Sequence, residues 1–188
     1  MHTFHKFAAA AALLAAGLAQ AQVAGPSITL SPSAAMVNVG SNFTVNINIT
    51  GVTDLYGWEV DLGFSPAARV SLTNQAIGPL FTGALLVPGT LNAGAGTLTN
   101  MAATLIGPTG VNGPGTIGAL TFNALSVGQV NFSFARVLLL NSNLDQIFIS
   151  NANWNPGQVT IVPEPATALL TVLGIALTAA AVRRRKPA

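Results

Sequence analysis

The chain has 188 residues, of which 51% are hydrophobic and only 6% charged, so it is long enough for one ordinary domain but poor in charge for a cytosolic one. It contains no cysteine, and both histidines, His2 and His5, stand at its start, which excludes disulfides, thiolate nucleophiles and Cys-ligated metals and leaves the middle without an imidazole base or ligand. The net charge of +2 is set by the ends, whereas the middle sets Arg69 and Arg136 against Asp54, Glu59, Asp61 and Asp145 and lacks the basic stripe that nucleic-acid binding requires.

Lys6 precedes an uninterrupted apolar run, Ala8 to Leu18, and Ala19-Gln20-Ala21 offers small residues to a signal peptidase. Residues 1–21 are therefore expected to be a secretory signal peptide, cleaved after Ala21. The body, residues 22–162, is about 140 residues long and can bury roughly two-thirds of its unfolded surface. That suffices for a single core.

Phe43, Val45, Ile47 and Ile49 alternate with Thr44, Asn46, Asn48 and Thr50, so one face of a strand is buried and the other meets water. Tyr56, Trp58, Val60, Leu62 and Phe64 repeat the pattern against Gly57, Glu59, Asp61 and Gly63, and Ser65-Pro66 stops the run because proline cannot continue a ladder. Further strands are predicted at Ile28–Leu30, Arg69–Thr73, Thr97–Leu105, Thr116–Leu125, Gln129–Phe134, Val137–Leu140, Gln146–Ile149 and Gln158–Val162. Gly, Pro and Asn punctuate the gaps, as in Asn112-Gly113-Pro114-Gly115. No segment of the middle has a helical period. Many short strands between turn signals argue an all-β antiparallel sandwich. With so few charges, its outward positions must be Asn, Thr, Ser and Gly, a surface suited to a sugar-rich matrix or simply to a secreted lineage.

Three groups of residues carry chemistry worth weighing. Glu59 and Asp61 stand two apart on one strand face, roughly 6 to 7 Å between backbones, a spacing that fits a binding face or plain solvation better than a pair of catalytic carboxylates, which needs a cleft and one desolvated acid. Asp54 and the run Asn141-Ser142-Asn143-Leu144-Asp145 supply oxygen ligands that calcium would accept, though the run lacks a closing acid and a central glycine, and Asn and Asp also build turns unaided. Trp154, in the polar run Asn151 to Pro156, is the aromatic placed to stack on a sugar or to anchor a loop, whereas the alternation around Trp58 puts that ring in the core.

The stretch Val39-Gly40-Ser41-Asn42-Phe43-Thr44-Val45, followed by Gly51 to Pro66, resembles the opening of a cohesin domain, with its G-x-x-F-x-V strand, loop and aromatic-alternating strand ending in an aromatic-x-Pro turn. Gly115 to Leu125 is similar to a later strand of that family, and Val137 to Asn143 and Gly157 to Ile161 to its ending. The resemblance covers about residues 27–162 and implies a jelly-roll sandwich of nine strands related to cellulose-binding modules. Cohesins bind dockerins through an exposed sheet face that includes the strand matching Tyr56 to Phe64, so the resemblance makes the outward Gly57, Glu59 and Asp61 candidates for a binding face. The Gly/Leu-rich segment Gln75 to Gly96 matches no strand of the family.

Residues 163–188 form a tail. Ala166 to Val182 is seventeen residues without a charge, about 25 Å as a helix and close to the thickness of a hydrocarbon core once flanking cations snorkel. Arg183, Arg184, Arg185 and Lys186 should stay cytoplasmic. Pro163-Glu164-Pro165, then the apolar span, then Arg183 to Lys186, resembles the PEP-CTERM sorting signal of Gram-negative, exopolysaccharide-producing bacteria, whose tails are processed by an exosortase near the Pro-Glu-Pro motif. Taken together, the chain is expected to be an exported, non-catalytic binding module. It would be anchored in the inner membrane before sorting and then displayed at the cell surface or in the exopolysaccharide. Its expected partner is a dockerin-like or other surface protein, the alternative being a polysaccharide, with signal peptidase and exosortase met on the way. No cofactor is implied.

Overall fold

The computed structural model describes residues 25–164 together with 170, 171, 173 and 175. The predicted signal peptide and most of the predicted span lie outside the described residues. Among those residues, no helix is long and apolar enough to cross a membrane. The rest is strand, joined by turns and by three single turns of 3-10 helix at Ala67–Arg69, Pro79–Phe81 and Asn151–Asn153.

The twelve strands are β1 (Ser27–Pro32), β2 (Met36–Asn38), β3 (Asn42–Thr50), β4 (Leu55–Ser65), β5 (Val70–Ile77), β6 (Leu85–Val87), β7 (Thr90–Asn92), β8 (Thr97–Thr104), β9 (Gly115–Ala124), β10 (Gly128–Asn141), β11 (Trp154–Asn155) and β12 (Gly157–Val162). They form two sheets. One runs β11-β1-β3-β9-β5; the other runs β2-β12-β10-β4-β8-β6, with β7 also on β8. Pairing is antiparallel except for β1 with β11 and β12 with β2. The predicted all-β sandwich is thus observed, and the alternation in β3 and most of β4 fixes the inward set: Phe43, Val45, Ile47, Ile49, Trp58, Val60, Leu62 and Phe64 are all buried, whereas Tyr56, which the alternation placed with them, is only half-buried, because the register with β10 shifts beside it and Leu55 takes the core position.

Between the sheets lies one hydrophobic core. Phe122 stands at its aromatic centre, 5.7 Å from Phe43, 5.3 Å from Phe64 and 5.2 Å from Phe132 between ring centroids. The stacked and edge-on contacts among these rings add to the stabilisation from area burial alone. Trp58 meets Phe81 edge-on at 6.3 Å, and its indole fits because the opposite sheet carries Gly118: a Cβ there would stand 3.0 Å from the Trp58 ring and 3.2 Å from Ile47.

Four corrections to the sequence reading concern pairing rather than hydrophobicity. The two segments predicted at Gln129–Phe134 and Val137–Leu140 are one strand, β10, whose register with β4 shifts at a bulge between Phe134 and Arg136. Gln146–Ile149 is not a strand: Gln146 makes a single bridge to Leu140 and the Ile147 amide donates to the Leu139 carbonyl (2.9 Å) before the chain departs. The segment 75–96, which matched no strand of the resemblance, folds into the end of β5, a 3-10 turn that buries Phe81, and the short β6 and β7. With β2 and β11 these bring the strands to twelve rather than nine. Strands of two or three residues leave no periodicity for a sequence to display.

Candidate functional site

The two outer faces of the sandwich differ in chemistry. On the five-stranded sheet the outward side chains are uncharged, and several pair with one another. Thr116 Oγ1 donates to Asn48 Oδ1 (2.7 Å), Asn123 Nδ2 to Asn42 Oδ1 (3.0 Å) and Asn155 Nδ2 to Thr29 Oγ1 (3.2 Å), while Ser27 and Thr50 share a hydroxyl pair at 2.7 Å. These polar rows match the Asn/Thr surface expected from composition.

On the seven-stranded sheet the registers build something else. Leu85 lies opposite Thr104, Thr104 opposite Gly57, and Gly57 opposite Leu140, which makes one row across four strands. The next row reads Val87, Ala102, Glu59 and Leu138. Val87, Ala102, Thr104, Gly57, Glu59, Leu138 and Leu140 of these rows wall a groove of about 170 Å³, which Tyr56 and Leu144 also line. Leu85, Val87 and Leu144 are all more than half exposed. Gly57 forms the floor: a Cβ added there meets its neighbours only at ordinary van der Waals distances, 3.6 Å from Ala103 O and 3.9 Å from Leu140 Cβ, so the groove can be filled without moving the backbone. A contiguous exposed apolar patch rimmed by polar groups is the usual mark of an interaction site.

That polar rim is a clamp. Arg136 pairs with both Glu59 and Asp61, its Nε donating to Asp61 Oδ2 at 3.0 Å. The Asn100 amide donates to Asp61 Oδ1 (2.6 Å), and Arg136 Nη2 donates to Asn100 Oδ1 (3.2 Å). Asn100 reaches this position with a left-handed backbone, φ 57°, which Asn tolerates better than most residues. Asp61 and Arg136 each sit at a register shift, one on the β4–β8 side and one on the β10–β4 side, so the ion pairs tie together the irregular points of three strands. The structure therefore joins Glu59 and Asp61 through a third residue that their spacing does not reveal. Two carboxylates sharing one guanidinium on an open sheet face are not arranged on opposite sides of a scissile bond.

The remaining sequence candidates hold loops. Asp54, itself at φ 55°, accepts the Gly110 amide at Oδ1 (2.9 Å) and both the amide (3.1 Å) and hydroxyl (2.7 Å) of Ser142 at Oδ2. Hydrogen bonds from the Ser142 hydroxyl, then its amide, then the Gly110 amide hold the Asp54 carboxyl below its ordinary value of 3.8. Asn141 Oδ1 accepts from the amides of Asn143 (3.0 Å) and Asp145 (2.8 Å), a side-chain-closed turn. Among the described residues, no group of three or more His, Cys, Asp or Glu side chains is placed to hold a metal ion. Trp154 is half-buried rather than splayed on the surface: it pairs with Ile28 through β11 and packs edge-on against Phe134 at 6.3 Å. Its Nε1 is buried without a hydrogen-bond partner. Of the sorting residues, Pro163 and Glu164 follow β12 directly, and Pro165 and Arg183 to Arg185 lie outside the described residues.

Sequence reasoning missed Val87, Ala102, Thr104, Leu138, Leu140 and Leu144. One signal was present: Val137-Leu138-Leu139-Leu140 is apolar on both faces, a pattern that in a sheet means both faces are covered, yet Leu138 and Leu140 face outward with nothing upon them.

No family model and no curated protein matches the sequence. Solved structures do. A type II cohesin domain from the cellulosome of Acetivibrio cellulolyticus superposes with a TM-score of 0.61 at 17% identity, covering 72% of this chain and 95% of that one. A non-cellulosomal cohesin from the archaeon Archaeoglobus fulgidus gives 0.59 at 12%, covering 76% and 96%. A type I cohesin of Clostridium thermocellum, solved in complex with a dockerin, gives 0.59 at 9%, covering 73% and 99%. At these identities the likeness concerns backbone architecture, and it establishes that residues 25–164 of this chain have a cohesin-like fold.

Proposed function

We propose that the chain is an exported, non-catalytic protein-interaction module that seats a dockerin-like partner on the outer face of its seven-stranded sheet. The observation that carries this reading is the groove around Gly57: two largely apolar rows spanning four strands, interrupted only by Thr104 and Glu59, on a domain whose other outer face is mostly Asn, Thr and Ser. The cohesin-like fold supports it, since one similar domain is known in complex with a dockerin. In this reading the signal peptide takes the chain across the inner membrane, and the tail holds it there until sorting to the cell surface or the exopolysaccharide matrix. A sugar platform built on Trp154 would need that ring flat and exposed, and its packing against Phe134 leaves it half-buried.

The test fills the groove. Gly57→Trp adds a ring where a Cβ already fits, so the thermal midpoint should stay close to that of the parent. Capture of dockerin-type modules, or of a defined protein from culture supernatant identified by mass spectrometry, should fall at least tenfold. Equal capture by both proteins would discard the groove as the binding surface. Retention on a glycan array that disappears with Trp154→Ala would transfer the function to carbohydrate.

A further inference from the structure

The strand registers assign opposite ends of the sandwich to the groove and to the exit of the chain. β4 begins at Leu55 opposite Asn141, the last residue of β10, and Ser27 at the start of β1 pairs with Thr50 at the end of β3. The turn carrying Leu144 and the loop carrying Thr109, which bridges to Leu55 through Val111, lie at this end. At the other end β4 finishes at Ser65, β9 at Ala124 and β12 at Val162, whose neighbour Ile161 lies opposite Gly128 at the start of β10. Gly57 and Ser65 are thus separated by about 26 Å of strand.

The exit end has its own composition. Its turns present Pro66 and Ala68, Ala93-Gly94-Ala95, and Leu125-Ser126-Val127, all exposed, with Leu125 and Val127 each 50% accessible. Among the described charged residues Asp54 and Asp145 belong to the groove end, and Glu59, Asp61 and Arg136 lie mid-sheet. Only Arg69 and Glu164 stand at the exit. The sequence then leaves very little slack: Pro163, Glu164 and Pro165 alone separate Val162 from the apolar span that begins at Ala166. Four Cα steps reach at most about 14 Å, of which one headgroup layer takes up roughly 5 to 7 Å, so the end of β12 is held within about 10 Å of the lipid surface.

We infer that, when the span is inserted, the exit end rests on the lipid surface with Leu125 and Val127 against the headgroups, and the sandwich stands upright with its groove opening sideways, nearer the far end. The tether is too short for the domain to float free, and the end it holds is nearly neutral and bears exposed apolar residues. A molecule held this way keeps its partner towards the end opposite its tail, so a partner approaches from outside the membrane without competing with the anchor. The inference rests on the export and tail reading above, and on the groove reading only for what is displayed.

The chain has no cysteine, which makes single-site labelling clean. Ser126→Cys at the exit turn and Thr109→Cys at the groove-end loop, each carrying an environment-sensitive fluorophore, are placed separately in the tail-bearing chain reconstituted in phosphatidylethanolamine–phosphatidylglycerol vesicles. A headgroup-attached spin label should quench the 126 site severalfold more than the 109 site. Adding Leu125→Asp and Val127→Asp should reduce quenching at 126 while the protein still floats with the vesicles. Equal quenching at both sites in floating protein overturns the upright arrangement and leaves the groove reading untouched, because partner capture by the same vesicles is scored separately. Protein that fails to float overturns the insertion and this inference with it.

Discussion

Asp54 shows how much organisation one side chain in a left-handed position supplies. It gathers three loops, since its carboxylate receives Gly110 and Ser142 while its own amide donates to Asn112 Oδ1 (2.9 Å). Because the Asp54 pKa is depressed in the folded state, its contribution to stability is complete above the ordinary carboxylate value and is lost as pH falls through the lower, folded one. Asp54→Asn should therefore lower the thermal midpoint at neutral pH, and the gap between variant and parent should close as the melts are repeated towards pH 2. A gap that stays constant with pH would mean that charge is irrelevant to the clasp. Arg136 acts at the same scale, but half exposed; its pairing sets the position of Glu59 beside the groove more than it adds stability, since exposed ion pairs contribute about 0 to 1 kcal/mol.

At the scale of elements, the segment 75–96 is held by a side chain imitating a strand. Gln75 Nε2 donates to the Gly89 carbonyl (3.1 Å) and the Gly89 amide donates to Gln75 Oε1 (2.7 Å), so β5 of one sheet is laced to the β6–β7 corner of the other. Replacing Gln75 by Ala leaves both Gly89 groups unpaired, at roughly 1 to 3 kcal/mol. Amide exchange should accelerate at Gly89 and through 85–92, with core strands such as β3 unaffected. The facing of β4 and β9 is equally specific. Gly118→Val places methyl groups against Trp58 and Ile47, and such overpacking costs about 1 to 3 kcal/mol, measurable by urea denaturation. Gly57, also in mid-strand, should accept Ala at little cost, which separates the glycine needed for packing from the one that opens a groove.

On the whole molecule, one core serves both sheets, so damage at its centre should be felt everywhere. Phe122→Ala removes a ring shared by Phe43, Phe64 and Phe132 and should destabilise by about 3 to 5 kcal/mol, with the tryptophan fluorescence and far-ultraviolet dichroism transitions still coinciding. Separate transitions would show that the two sheets unfold independently. The asymmetry of the outer faces also belongs to this scale: one is mostly uncharged and polar, with several side chains paired to one another, and the other carries a largely apolar groove beside a clamp.

Inward residues were legible because alternation is local: Phe43 to Ile49 and Trp58 to Phe64 declare their buried side whatever they pair with. The absence of cysteine and of any histidine beyond His5 likewise closed off whole classes of chemistry before any fold was considered. The groove was not legible. Val87, Ala102, Gly57 and Leu140 come from four strands far apart in the chain, and which residue stands beside which is set by register, bulges and the one-residue shifts at Asp61 and Arg136, all long-range hydrogen-bonding choices. Alternation can say that Gly57, Glu59 and Asp61 face outward together. Only the pairing of strands decides that leucines and a valine surround the first, and an arginine claims the other two.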